Sequence, residues 1–458
     1  MLLLGFVPPD ELMKPYLKST AQQLLPPLVW EALRALRQTH SSPIPQYDRL
    51  ELRFIELSAR TPNSRLAQLV VFTQSLWTSL KLCPTPFIVM SPRKRGGLLG
   101  VPAIDHVGVF AGGQVLYPRP LVGRQNDMLG RAIEEYNGLT VAITGASGYL
   151  GSRLTALLLS GSSCRLVLID KSSGSASGDL CGAGNPVNVP ADVCDPDAWG
   201  GALRGVDVLF HLAAYEHRRG SISDPVADMD VNQGAVLRLL EYCRANGLSP
   251  WIVLASSSHV CGHAARLPVN EDEPDEPLTL FGLHKLQAER YLRHYSREHD
   301  VSGVSLRLAN VYGPSQSREL TERAALNRMM GMGISTGRIV LFSNHSRIRD
   351  YIYIDDVAAA FLHAGRLKRE FKGSHFVIGS EQGVRIEEAA RMIANTIGDL
   401  AGRAPLVEVD QQAVVSPNEN RDFVADASRF KLVGGWDHHV CLADGIRKTV
   451  KSLVASNN

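Results

Sequence analysis

From residue 139 onward the chain alternates two hydrophobic patterns. Short unbroken apolar runs appear at "LTVAITG" (139–145), "CRLVLID" (164–170), "VDVLFHLAA" (206–214), "WIVLASSS" (251–258) and "GVSLRLANVYGP" (303–314). A strand that is apolar on both faces belongs in a parallel sheet covered by helices. Between these runs, apolar residues recur every three or four positions, as in "YLGSRLTALLLSG" (149–161) and "AVLRLLEYCRANG" (235–247). That spacing predicts helices of ordinary length. Strands alternating with such helices predict an α/β, Rossmann-type doubly wound parallel sheet. The stretch from about 315 to 458 mixes helical spacing with short strand-like runs, and predicts a smaller C-terminal α+β lobe over the strand ends.

Residues 1–137 follow neither pattern and read as a separate N-terminal α+β extension of unknown fold. Helices are expected over 64–80 and near 124–136. Apolar runs at 86–90 and 106–117 predict strands. "VFAGGQVLYP" (109–118) predicts a hairpin about Gly112–Gly113. "LLPPLVWEALRALRQ" (24–38) places Leu28, Trp30, Leu33 and Leu36 near one helical face, with Arg34 and Arg37 elsewhere. Such a helix lies on a membrane surface or packs against its own domain, and the pattern leaves both open. The expected organisation is therefore 1–137 and 138–458, with a core over about 138–314 and a lobe mostly within 315–458.

Composition narrows the class without naming a chemistry. The 458 residues are 45% hydrophobic and 21% charged with a formal net charge of +2, so no basic face for nucleic acid is implied. Seven cysteines lie scattered with no CxxC pair. This reads as reduced thiols in a cytoplasmic setting, with no metal site. No run of 18 apolar residues predicts a membrane span, and "MLLLGFVPP" lacks the basic start of a signal peptide.

The first clear chemistry is "TGASGYLG" (144–151), which follows a strand and opens a helix. Gly145 allows the tight turn, Gly148 lets the backbone approach a pyrophosphate, and Gly151 lets the helix pack on the sheet. The helix start offers N–H groups to an anion. Asp170 ends the next strand, 19 residues after Gly151. A carboxylate there accepts ribose hydroxyls and repels a 2′-phosphate, which favours NAD over NADP.

Several motifs in order then resemble the extended short-chain dehydrogenase/reductase superfamily, in particular its NAD-dependent epimerase/dehydratase family acting on nucleotide sugars. They are "TGASGYLG", "ADVCDPDAWGGALRGVDVLFHLAA" (191–214), "ASSSHVCG" (255–262), "FGLHK" (281–285), "RLANVYGP" (307–314) and "RDYIYIDDVAAA" (349–360). The resemblance implies NAD as cofactor, with Ser147, Tyr149 and Leu150 beside the three glycines. It places Asp192 and Val193 at the adenine, Ala213 and Ala214 along the cofactor, and Asn232 behind the site. Dimers built through two helices are a property of such proteins, and the helices near 232–247 and 281–298 are the candidates here.

The same resemblance implies a catalytic Ser or Thr, Tyr and Lys. Hydride removal from a carbinol requires its hydroxyl proton to leave, and a tyrosinate with a lowered pKa takes it. The spacing Tyr-x-x-x-Lys puts phenol and ammonium on one helix face. Here the serine is Ser257 and the lysine Lys285, while the tyrosine position holds Phe281. Ser256 and Ser258 point elsewhere on a strand end. Cys261 stands where such proteins tend to have Tyr, and Ser258–His259 stand where sugar 4,6-dehydratases carry Asp–Glu. Candidate replacement bases are His259, Cys261, His284, Glu271 and Lys285 itself. His259 is favoured because imidazole titrates near neutrality. Asn310 and Arg349 match positions that hold a nucleotide-sugar diphosphate, for which a guanidinium fork is suited, and Arg421 is a candidate for a second contact. Arg349 reads alternatively as a salt-bridge partner of Asp350 or Asp355. Asp355 and Asp356 read as helix-start residues. The expected function is an epimerase/dehydratase-like enzyme for a nucleotide sugar with altered proton transfer. The alternative is a catalytically silent NAD or sugar-nucleotide binder, with 1–137 supplying an interaction role.

Overall fold

The computed structural model describes residues 87–92, 104–111, 114–116, 125–171, 186–215, 224–315, 324–367, 369–410 and 420–455. The expected helices over 24–38 and 64–80 lie outside the described residues. Two units are distinguished, one ending at Gly123 and one starting at Arg124. In the first, β1 (Phe87–Pro92), β2 (Ile104–Ala111) and β3 (Gln114–Leu116) form an antiparallel sheet in that order. Val109 faces Leu116 and Ala111 faces Gln114 in an antiparallel pair, and the two glycines expected to turn the chain lie outside the described residues.

The second unit begins with α1 (Gln125–Glu134), which the sequence reading assigned to the end of the N-terminal extension. Ala132, Ile133 and the following Tyr136 are buried in the core of the large sheet, and this packing draws the helix into the second unit. The sheet has seven parallel strands in the order β13–β9–β8–β7–β4–β5–β6. These are β4 (Thr140–Thr144), β5 (Arg165–Asp170), β6 (Val187–Pro190), β7 (Val208–His211), β8 (Trp251–Ser257), β9 (Ser302–Leu308) and β13 (His375–Ile378). The unbroken apolar runs are explained by burial on both faces. Val141 and Ile143 enter one core layer with Phe210, Val253 and Phe361, while Ala142 enters the other with Leu209, Ile252 and Leu239. The chain runs outward from β4 through β5 and β6, then returns to place β7 on the other side of β4. The strand order therefore reverses between β4 and β7, and the crevice beyond their C-terminal ends is where such sheets bind ligands.

The stretch 315–458 is divided. Part of it joins β10 (Asn310–Tyr312) to form the smaller lobe: β10, β12 (Ile348–Tyr353) and β14 (Gly383–Arg385) in one sheet, β11 (Arg338–Leu341) with β15 (Leu406–Val409) in another, and helices over 325–336, 386–401 and 442–455. Tyr312, Met330, Ile393 and Ile446 give it its own core. The middle part returns to the large sheet. The helix Ile354–Gly365 buries Val357, Ala360, Phe361 and Ala364 against it, and β13 becomes its edge strand. No helix among the described residues is long and apolar enough to cross a membrane.

Candidate functional site

At the crevice, Gly145 has φ +66°, and a Cβ on it would lie 2.8 Å from Ala213 N. Only glycine lets the loop after β4 rest against the end of β7. A Cβ at Gly151 would overlap the Gly145 carbonyl oxygen, so the next helix (α2, Tyr149–Gly161) can press on the loop only without a side chain there. The first helical bond of α2 runs from Ser152 N to Gly148 O at 2.9 Å. The N–H groups of Tyr149, Leu150 and Gly151 precede it and point out of the helix end, and its first turn holds no acidic residue. Asp170, at the end of β5, accepts the Ser147 N–H at 2.9 Å. Asp192 accepts the Cys194 N–H at 2.9 Å and pairs with Lys171 at 2.8 Å. Burial raises its pKa, yet the bonds from Lys171 and Cys194 bring it below the ordinary carboxylate value. Val193 beside it is buried, and Ala213 N donates to Thr144 Oγ1 at 3.2 Å. A helix end whose first N–H groups lie before the helical bonds, a carboxylate at the neighbouring strand end and a floor without side chains fit a dinucleotide.

Two serines end β8 and a third opens the turn after it, and each has a different neighbour. Ser256 donates to Glu289, and Ser258 Oγ accepts from Arg421 Nη2 at 3.1 Å. Ser257, between them, is half-buried and accepts the His259 N–H at 3.3 Å. Helix α5 (Leu280–Glu298) starts beside it, capped by Thr279 Oγ1, which accepts from Gly282 N at 3.0 Å. Phe281 and Lys285 follow one turn apart. Lys285 Nζ lies 5.7 Å from the Phe281 ring centroid and donates to Ala255 O at 3.0 Å. The His259 ring stands edge-on to Phe281, with centroids 5.8 Å apart. Burial, with Arg421 and Arg349 nearby, pushes its pKa down to about 3, so the ring is neutral at pH 7.

The other candidate bases stand apart from this cluster. Cys261 packs in the core, and burial pushes its thiol up to about 11, so it is not a thiolate at neutral pH. Glu271 accepts the Val377 N–H at 2.9 Å and holds β13. His284 turns from the Phe281 face to bond Asp228 at 3.0 Å, and Asp228 also accepts from Asn232.

On the lobe side, Asn310 Nδ2 donates to Asp350 O at 3.0 Å. Arg349 donates to Ile348 O at 3.1 Å and to Arg421 O. Arg421 is 4% exposed and donates to Ser258 O at 3.1 Å. Burial and the adjacent Arg349 lower its pKa to about 10. Two guanidinium groups thus converge beside Ser258, next to a cleft of about 290 Å³ lined by His263, Arg266, Arg347 and Asp422. The carboxylates weighed as partners of Arg349 are engaged elsewhere. Asp350 accepts from Ser380, Glu381 and Ala425, and Asp355 pairs with Arg153 at 2.6 Å. The residue before the helix Ile354–Gly365 is Tyr353, so Asp355 lies in its first turn and is not its cap.

Two features escape the sequence reading. Arg307 is fully buried and pairs with Glu289 at 2.7 Å and Asp275 at 2.8 Å, tying β9 to α5 behind the serines. Its one signal is a charge inside an apolar strand, which demands a partner. His211, at the end of β7, shares a 3.1 Å hydrogen bond with Thr144 Oγ1, and burial pushes its pKa down to about 3. In the sequence it is one polar residue in an apolar run.

Comparison with known proteins follows the same outline. The model of the NAD dependent epimerase/dehydratase family matches residues 141–379. A UDP-glucose 4-epimerase of Mycolicibacterium smegmatis is 32% identical over 314 residues, 68% of this chain and 96% of that protein. Among solved structures, the UDP-glucose 4-epimerase of Thermus thermophilus in complex with NAD is similar at a TM-score of 0.60 and 26% identity, covering 69% of this chain and 100% of that one. The Thermotoga maritima UDP-glucose 4-epimerase with UDP-glucose, at 23% identity and a TM-score of 0.61 over 70% of this chain and 100% of that one, shares the fold.

Proposed function

The chain belongs to the NAD-dependent epimerase/dehydratase family, and from that premise we propose that it epimerises C4 of a UDP-linked hexose with His259 in the role of the missing phenol. The observation that carries the reading is the placement of His259, edge-on to Phe281 and one residue beyond Ser258 at the end of β8. Bound NAD would supply the acceptor for a hydride from a carbinol carbon and the donor that returns it to either face of the resulting ketone. The chain supplies the rest. Gly145, Gly148 and the start of α2 hold the diphosphate of NAD, with Asp170 at the ribose. Ser257 accepts and orients the sugar hydroxyl, and the neutral His259 ring takes its proton. Lys285 adds positive charge beside the site. Arg349, Arg421 and Asn310 hold the diphosphate of the substrate.

The names of similar proteins support UDP as the nucleotide and C4 as the centre. Elimination is disfavoured because it needs an acid and a base beyond the Ser, and the two positions after Ser257 carry no carboxylate. Arg421 occupies the Ser258 hydroxyl instead. An imidazole with a pKa near 3 is a weak base, so turnover is slow; replacing a well-matched base commonly costs about 10²–10⁴-fold. The same weakness favours the second reading, a silent binder that keeps the NAD and sugar-nucleotide sites.

The test is to incubate the protein with NAD and UDP-, dTDP-, GDP- and CDP-hexoses and to follow products by NMR. Slow conversion of UDP-glucose to its C4 epimer, with no dehydrated product, is expected. Bound NAD with no turnover of any sugar overturns the enzyme reading and leaves the binder.

A further inference from the structure

Helix α2 touches more than the cofactor crevice. Its first residue, Tyr149, crosses to the smaller lobe, where its hydroxyl donates to Gly313 O at 2.7 Å. Gly313 directly follows β10, whose first residue is Asn310. Asn327, on the lobe helix over 325–336, closes the arrangement. Its amide nitrogen donates to Gly313 O at 2.8 Å and to the Tyr149 hydroxyl oxygen at 3.1 Å, and its amide oxygen accepts from Gly313 N at 3.1 Å. Four residues after Tyr149, Arg153 grips Asp355 with two hydrogen bonds at 2.6 and 2.9 Å. Asp355 stands on the helix that continues β12, the strand carrying Arg349. One helix therefore offers its end to the cofactor and is bonded along one side to two of the three segments that bear the substrate-side residues.

The geometry is fixed tightly at Gly313. Its φ is +138°, and a Cβ there would lie 2.6 Å from Ile354 Cγ2. Gly313 cannot shift without moving Ile354 or breaking the bonds to Asn327 and Tyr149. Burial raises the Tyr149 pKa, so its hydroxyl keeps the proton that the bond to Gly313 O requires.

We propose that Tyr149 and Arg153 are positioning residues that couple the two sites, so that a nucleotide held by the lobe raises the affinity of the crevice for NAD, and NAD raises the affinity for the nucleotide by the same factor. Equality of the two factors is a thermodynamic requirement of coupled binding. The inference rests on the reading of Asn310 and Arg349 as substrate-side residues. A nucleotide that holds Asn310 and Arg349 in place fixes the lobe partners of α2. The helix end then meets NAD already positioned and loses less freedom on binding.

The test uses calorimetric binding of NAD to the full chain with and without saturating UDP, and the reciprocal titration. The wild type is expected to bind NAD about 5- to 100-fold more tightly with UDP present, the usual range of such coupling. Tyr149→Phe removes one hydroxyl, and Arg153→Gln removes the grip on Asp355. Each is expected to shrink the factor, and the double variant to bring it close to 1 while both ligands still bind. Tyr136→Phe serves as a control. It removes a buried hydroxyl that donates to Leu362 O at 2.7 Å, away from both sites, and is expected to lower the melting temperature without changing the factor. Equal factors in wild type and double variant, or the same loss in Tyr136→Phe, overturn the coupling and leave the proposed function standing. A wild type that binds NAD but not UDP overturns the nucleotide reading, and the coupling with it.

Discussion

At position 281 a phenylalanine ring lies where a phenol would serve as base, and two neighbours touch its surroundings: Lys285 at 5.7 Å and His259 at 5.8 Å. If His259 takes the proton, His259→Ala lowers kcat by about 10²–10³-fold, while Phe281→Tyr raises it by about 10–10²-fold and makes His259 dispensable. Because His259 is neutral above about pH 3, wild-type kcat stays level from about pH 5 to 8. A steep rise through pH 6–7 would show instead that a group with an ordinary imidazole pKa carries the proton. His211 makes a stability prediction. Its folded pKa, about 3, lies below the unfolded value near 6.5, so the folded state binds fewer protons between these limits. Its contribution to stability is complete above about pH 6.5 and is lost as pH falls toward 3, at about 1.4 kcal/mol per pH unit. Acid denaturation followed by circular dichroism should show this slope, and His211→Asn should flatten it. That Phe281 and Lys285 lie one turn apart on one helix was legible from their spacing, while the roles expected of them came from the resemblance. The environment that disarms His259 was not, because Arg421 is 162 residues away in the chain.

Among elements, the strands of the large sheet were legible because burial on both faces leaves continuous apolar runs. The loop "TGASGYLG" was legible because its glycines answer steric demands visible in the turn itself. The return of the chain to the sheet at 354–378 was not read. Strand β13 spans four residues, too few for a period, and its place at the sheet edge is set by pairing with β9. The helix before it carried a signal. Val357, Ala358, Ala360, Phe361, Leu362 and Ala364 are apolar nearly all round, as a helix buried on most sides must be. The Arg307–Glu289–Asp275 network was hidden for another reason. Its members lie on a strand, a helix and a loop, and no local period links them.

For the molecule as a whole, the strand order puts the cofactor crevice and the lobe on the same side of the sheet, and α2 is bonded to both. The loop and strand ends proposed to hold the cofactor were readable from sequence because they form one contiguous loop and two strand ends. The proposed substrate half draws on Asn310, Arg349 and Arg421 from three separate segments, and the approach of the two arginines to Ser258 appears only in the fold. The central claim is that this assembly oxidises a sugar despite Phe281. The most direct measurement is the near-ultraviolet absorbance of reduced nicotinamide when UDP-glucose is mixed with the NAD-loaded protein. The account predicts a small, slow rise that is absent in Ser257→Ala and accompanies the C4 epimer. An unchanged spectrum and unchanged sugar, with both ligands bound, would contradict it.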